Sequence, residues 1–120
     1  MTIGSKTFEL EMARTSAEQE KGLMKRDSMP ENHGMIFIFD KDRSQDFWMK
    51  DTRFPLDIIF LDHTGMVVSV SQMQAYDLAT TSSQGAAQYA IELNVGQAKA
   101  AGVEKGQTLK IPDAALYKTK

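Results

Sequence analysis

Along much of this chain apolar and polar residues alternate with a period of two, the mark of strands with one face covered. Phe8, Leu10 and Met12 alternate with Thr7, Glu9 and Glu11. Just before them, Ile3-Gly4-Ser5-Lys6 predicts a tight hairpin, because Gly-Ser suits a two-residue loop. Phe47 and Met49 alternate with Asp46, Trp48 and Lys50. Met66, Val68 and Val70 alternate with Ser69 and Ser71, and Tyr89, Ile91 and Leu93 mark one face of a further strand. Two runs break the alternation. Met35-Ile36-Phe37-Ile38-Phe39 and Ile58-Ile59-Phe60-Leu61 are apolar on both faces, as in strands buried on both sides. The turn Asp62-His63-Thr64-Gly65 joins the second run to Met66–Val70 as a hairpin. Leu109 and Ile111 predict a last strand, which Pro112 ends.

Helical signals are short. Thr15-Ser16-Ala17-Glu18 fits a capping box, in which Thr15 caps the helix and Glu18 reaches back to the Thr15 amide. Gly22 closes that helix, and Asn94 is read as the cap of a second one closed by Gly102. Residues 74–86 form a polar connection rich in Ala, Thr, Ser and Gln, a length that in compact domains often carries function. Seven or eight strands with two short helices predict a mainly β fold, on the border of α+β. The expectation is one domain over residues 1–120, built as a compact pseudobarrel or sandwich.

Composition narrows the chemistry. A chain of 120 residues with 42% apolar and 25% charged residues has ordinary globular make-up and can bury a core. Fourteen Lys and Arg against 16 Asp and Glu give a net charge of −2, with no basic stretch of the kind that binds nucleic acid. No apolar run reaches the length of a membrane span. With no Cys, disulfides, thiolate catalysis and Cys-based zinc sites are excluded. There is no G-x-S-x-G, G-x-G-x-x-G or P-loop pattern, which argues against serine nucleophiles, dinucleotides and ATP. No cofactor is expected.

Four segments together carry a resemblance: Glu20-Lys21-Gly22-Leu23-Met24-Lys25-Arg26, Gly34-Met35-Ile36-Phe37-Ile38-Phe39, Phe47-Trp48-Met49-Lys50-Asp51-Thr52 and Pro55-Leu56-Asp57-Ile58-Ile59-Phe60-Leu61-Asp62. They resemble the domain-of-unknown-function 192 family, from about Phe8 to about Ile111. The resemblance implies a β-rich pseudobarrel, found in bacteria and archaea and often exported behind a leader, so a periplasmic or other extracytoplasmic location is an expectation. It implies no established activity. The chain departs from the family's pattern twice. Many members carry a Cys pair and several prolines where this chain runs from Met73 to Gly85, and many have Asn at the position of Asp51.

On their own chemistry, four residues stand out as ligand-binding candidates: Arg26, Trp48, Lys50 and Asp57. Period two puts Trp48 and Lys50 opposite Phe47 and Met49, so the indole is either a stacking platform flanked by charges or part of a second packed layer. Asp57 precedes a buried run, where a carboxylate must be paired or shift its pKa. It is either an acid or base working with Lys50 or Arg26, or an anchor that accepts turn amides or binds Arg26 or Arg53. Arg26 can grip an anion with two parallel hydrogen bonds, or clamp Asp57 or Glu18. His33 and His63 fall in separate turns with no ligand spacing, so no metal site is expected. Met24, Met29, Met35 and Met49 could offer soft copper ligands but read more simply as core. The functional expectations are, in order, a module binding a small polar molecule or glycan, a hydrolase-like enzyme using Asp57, and a protein-interaction domain. The oligomeric state is left open.

Overall fold

The computed structural model describes residues 1–117. Its centre is a five-stranded sheet in the order β3-β4-β9-β6-β7. Here β3 is Glu9–Ala13, β4 His33–Arg43, β6 Leu56–Leu61, β7 Val67–Met73 and β9 Ala87–Asn94. The other strands form two small ladders: β1 (Thr2–Ile3) with β2 (Lys6–Thr7), and β5 (Asp46–Phe47) with β8 (Thr81–Ser82). Helix α1 is Ser16–Lys21 and α2 is Gln97–Ala100, and a short 3-10 helix covers Asp113–Ala115. The fold is mainly β, as the alternation predicts. The sheet is open, with β3 and β7 as its edges, so it does not close into a barrel.

The sheet carries a hydrophobic layer on each face. One layer gathers Ile3, Phe8, Ile36, Ile59, Leu61, Ile91, Ala98, Val103 and Leu109 beneath α2 and the C-terminal segment. The other gathers Leu23, Met29, Met35, Phe37, Met49, Leu56, Ile58 and Phe60 beneath α1 and the 46–52 segment. Two covered faces explain why β6 is buried at every position and why β9 is buried from Ala87 to Leu93. The Met residues of this second layer are core filler.

Helix α1 forms as predicted. The Glu18 amide donates to Thr15 Oγ1 at 3.1 Å, and the Thr15 amide donates to Glu18 Oε1 at 3.0 Å. The Thr15 amide first, then the Arg14 amide and the Thr15 hydroxyl, hold the Glu18 carboxyl below its usual range. Gly22 ends the helix at φ +47°, and its amide returns to the Glu18 carbonyl. The hairpin at Gly4-Ser5 is also present.

Three expectations are corrected. The predicted face Met66, Val68, Val70 does not exist, since Met66 and Val70 are exposed while Val67 is fully buried. Phe60 pairs with Ser69 and Leu61 with Val67, leaving Val68 as the extra residue of a β-bulge that reverses the alternation. Leu109 and Ile111 are buried but form no strand; only Thr108 makes an isolated bridge, to Met66. Asn94 does not cap α2. Its side chain donates to the Met29 and Pro30 carbonyls, and Gly96 occupies the cap position at φ +91°.

Candidate functional site

The segment 46–52 forms a platform of alternating exposed and buried side chains. Only Asp46–Phe47 is regular strand, yet the alternation continues beyond it: Met49 is 1% exposed and Trp48 is 47% exposed. Phe47 is the lower pin, edge-on to Phe37 at 4.8 Å between ring centroids and to Phe60 at 5.6 Å. Met49 is the upper pin, buried in the same layer. An indole held between two anchored neighbours keeps its place without itself being core. Lys50 swings back over it, with Nζ 5.5 Å from the ring centroid, a cation–π contact.

The backbone behind the platform is tied tightly. The Lys25 amide donates to the Asp51 carbonyl at 2.7 Å, the Tyr76 amide to the Thr52 carbonyl at 3.0 Å and the Met49 amide to the Asp77 carbonyl at 2.9 Å. Lys25, Asp51 and Tyr76 all adopt left-handed backbone, with φ of 63°, 55° and 62°. Such conformations cost free energy at non-glycine residues and persist because the surrounding hydrogen bonds hold them. They also give Asp51 a physical reason: Asp and Asn tolerate this region better than other side chains.

Between the platform and α1 lies a cleft of about 250 Å³. Gln19, Glu20 and Lys21 form its helical side, and Phe37, Phe39, Phe47 and Trp48 supply aromatic wall. Gln19 fixes the helix to the sheet by donating to the Ala13 and Ile38 carbonyls at 3.1 and 2.7 Å. Glu92, from β9, lies at the cleft's inner end. It is 4% exposed, and among the described residues no hydrogen-bond donor reaches its carboxyl. Burial alone pushes its pKa up to about 8. A carboxyl so placed is mostly protonated at neutral pH and can donate a hydrogen bond. A second, outer cleft shares Glu20, Lys21, Met24 and Trp48 and adds Lys25, Lys50 and Asp51.

The four predicted residues do not converge. Trp48 and Lys50 sit together at these clefts. Arg26 instead grips Glu11 of the edge strand with both guanidinium nitrogens, one at 2.9 Å, and this bond lowers the Glu11 pKa and raises that of Arg26. Asp57 points the other way. Ile58 pairs with Glu92 and Asp57 with Leu93, which places Asp57 and Glu92 on opposite faces of the sheet. The proposed Asp57–Arg26 clamp is therefore absent. Asp57 Oδ2 accepts the Gly96 and Ala98 amides at 2.9 Å each, so the carboxylate is an anchor for the start of α2. Burial raises its pKa more than these two amides lower it. His33 meets Glu9 at 2.9 Å and His63 meets Asp42 at 2.6 Å. Among the described residues no group of three His, Asp or Glu has the geometry of a metal site.

Sequence reasoning missed Glu92, because it marked only Tyr89, Ile91 and Leu93, one face of the strand, and left the alternate positions unread. One signal was present. The other face of that strand carries Ala90, and Glu92 is the lone charge within Ala87–Leu93, a pattern closer to a doubly buried strand with one polar exception.

Comparison with known proteins places this geometry in a wider set. The profile of the DUF192 family, described as uncharacterized ACR, matches residues 1–111. A protein of unknown function from Novosphingobium aromaticivorans DSM 12444 is 38% identical with a TM-score of 0.79, over 84% of this chain and 73% of that one. A protein from Sinorhizobium meliloti 1021, named as a candidate transcription regulator, is 34% identical with a TM-score of 0.81, over 84% of this chain and 79% of that one. No curated protein matches.

Proposed function

We propose that this chain, which belongs to the DUF192 family, is a binding module for a small polar molecule or glycan unit, received in the cleft between α1 and Trp48. The observation that supports this reading is a half-exposed indole, held between two anchored side chains, beside a concavity that ends on a buried and unpartnered carboxyl. Exposed aromatic surface and a desolvated carboxyl with no protein donor are each unfavourable for the free protein, and a ligand relieves both. The cleft's volume of about 250 Å³ falls just below the usual range of small-molecule sites, which favours a compact ligand.

The transcription-regulator name borne by the Sinorhizobium protein finds no counterpart here. A net charge of −2 and a cleft carrying Glu20, Asp46 and Glu92 would repel a phosphate backbone. A hydrolase reading survives in altered form, with Glu92 rather than Asp57 as the acid, because a carboxyl with a pKa about 8 can hold and release a proton near neutrality.

Trp48 is the single tryptophan, so intrinsic fluorescence reports on this site alone. Titration with a panel of monosaccharides, amino acids and small amines should give a saturable change with at least one class, and calorimetric titration of Trp48→Ala with that class should show binding lost. If no class changes the emission, the binding reading fails.

A further inference from the structure

Resting on that binding reading, we infer that the cleft selects a small organic cation, whose positively charged nitrogen sits between the aromatic wall and the Glu92 carboxylate.

Three independent features converge on this class of ligand. The first is the wall. Phe39, Phe47 and Trp48 line one cleft, and the faces of such rings carry the negative part of the quadrupole that attracts ammonium groups. Lys50 already makes such a contact with Trp48, at 5.5 Å. Lys50 lines the outer cleft but is not among the residues of the inner one, and among the described residues no cation stands over the Phe39 or Phe47 ring. The second feature is charge. The groups facing the cleft are Glu20 and Lys21 from α1, Asp46 from β5 and Glu92 from β9; the strands on either side of Glu92 contribute only Met35 and Ile58 beside it. Among the described residues Glu20, Asp46 and Lys21 form no ion pair. Even with Glu92 protonated, Glu20 and Asp46 outnumber Lys21 and leave the lining acidic, which disfavours an anion and gives a neutral sugar no charge to meet.

The third feature is Glu92 itself. Buried and unpartnered, its ionised form lacks a counter-charge, and a cation seated beside it supplies one. Binding is then coupled to loss of the Glu92 proton. A neutral polyol would leave the acid protonated and would show no such coupling.

The probes are tetramethylammonium, which stays charged at every pH, and glucose as a neutral control, followed by Trp48 fluorescence. With a pKa of about 8, the ionised fraction of Glu92 rises from roughly a tenth at pH 7 to roughly nine-tenths at pH 9, so tetramethylammonium affinity should rise about tenfold. Glu92→Gln should erase this pH dependence and weaken binding at pH 9 by tenfold or more. Asp46→Asn, at an exposed position, should weaken it by about two- to threefold and serves where Glu92→Gln does not fold. Saturable glucose binding, flat with pH, would overturn the cation inference while leaving the binding module standing. Silence with both probes and with the wider panel would overturn both.

Discussion

The Asp57 carboxylate takes the amide of Ala98 at 2.9 Å, across 41 residues of chain. The Gly96 amide shares the same oxygen. Helix α2 is only four residues long and has no side-chain cap of its own. A strand residue therefore does the capping from the neighbouring layer, satisfying donors that would otherwise be buried without partners.

Removing that carboxylate should loosen α2 and the C-terminal layer together. Asp57→Ala strands two amides and leaves a small void, so a loss of about 2–4 kcal/mol is expected in urea denaturation. Asp57→Asn keeps an acceptor oxygen and should cost less than half as much. Equal losses for the two variants would show that the amide contacts are not what anchors the helix.

The platform makes a paired prediction. Phe47 packs edge-on against Phe37 and Phe60, so Phe47→Ala should cost about 3 kcal/mol. Trp48 is half-exposed, so Trp48→Ala should change stability by about 1 kcal/mol or less while removing ligand binding. Thermal unfolding of both variants decides it. A Trp48→Ala protein as unstable as Phe47→Ala would make the indole a core residue.

Asp51 should tolerate only residues at ease in left-handed backbone. At φ 55°, Asp51→Asn and Asp51→Gly should lie within about 0.5 kcal/mol of the parent. Asp51→Val should cost about 1–2 kcal/mol and disturb the Lys25–Asp51 hydrogen bond. Chemical shifts of the Lys25 amide provide the readout.

These residues also mark where the sequence was legible. The 46–50 alternation was read correctly in terms of exposure, because side-chain direction depends on local extended backbone and not on ladder pairing. The doubly apolar runs at Met35–Phe39 and Ile58–Leu61 told of strands covered on both faces, and the capping box at Thr15 announced α1. Strand order was not legible. Nothing local to Glu92 says that β9 lies between β4 and β6 under two layers, and nothing local to Arg26 says that the adjacent edge strand presents Glu11. Asp57 was recognised as a carboxylate in need of partners, but the sheet register that turns it toward α2 depends on its pairing with Leu93, 36 positions away. The bulge at Val68 was hidden as well, since a single extra residue leaves no compositional trace.

Glu92 should make the protein less stable as pH rises. Its unfolded reference is 4.5 and its folded value about 8. Between those values the folded state binds the extra proton, so each unit of pH removes folding free energy; the loss begins near pH 4.5 and levels off above about 8. The full span is worth at most about 5 kcal/mol. Other carboxyls shift too: Glu11 and Glu18 are held low, and Asp57 is raised. Their contributions cancel when the parent is compared with Glu92→Gln. The expected result is a difference curve in which Glu92→Gln gains steadily on the parent from pH 5 to pH 8.5. A saturating concentration of tetramethylammonium should stabilise the parent most at the alkaline end, where the ionised acid has a partner. A parent and variant that run parallel across this range would mean that Glu92 is already satisfied in the folded protein. The carboxyl would then be a structural group and the cleft would lose its charged end.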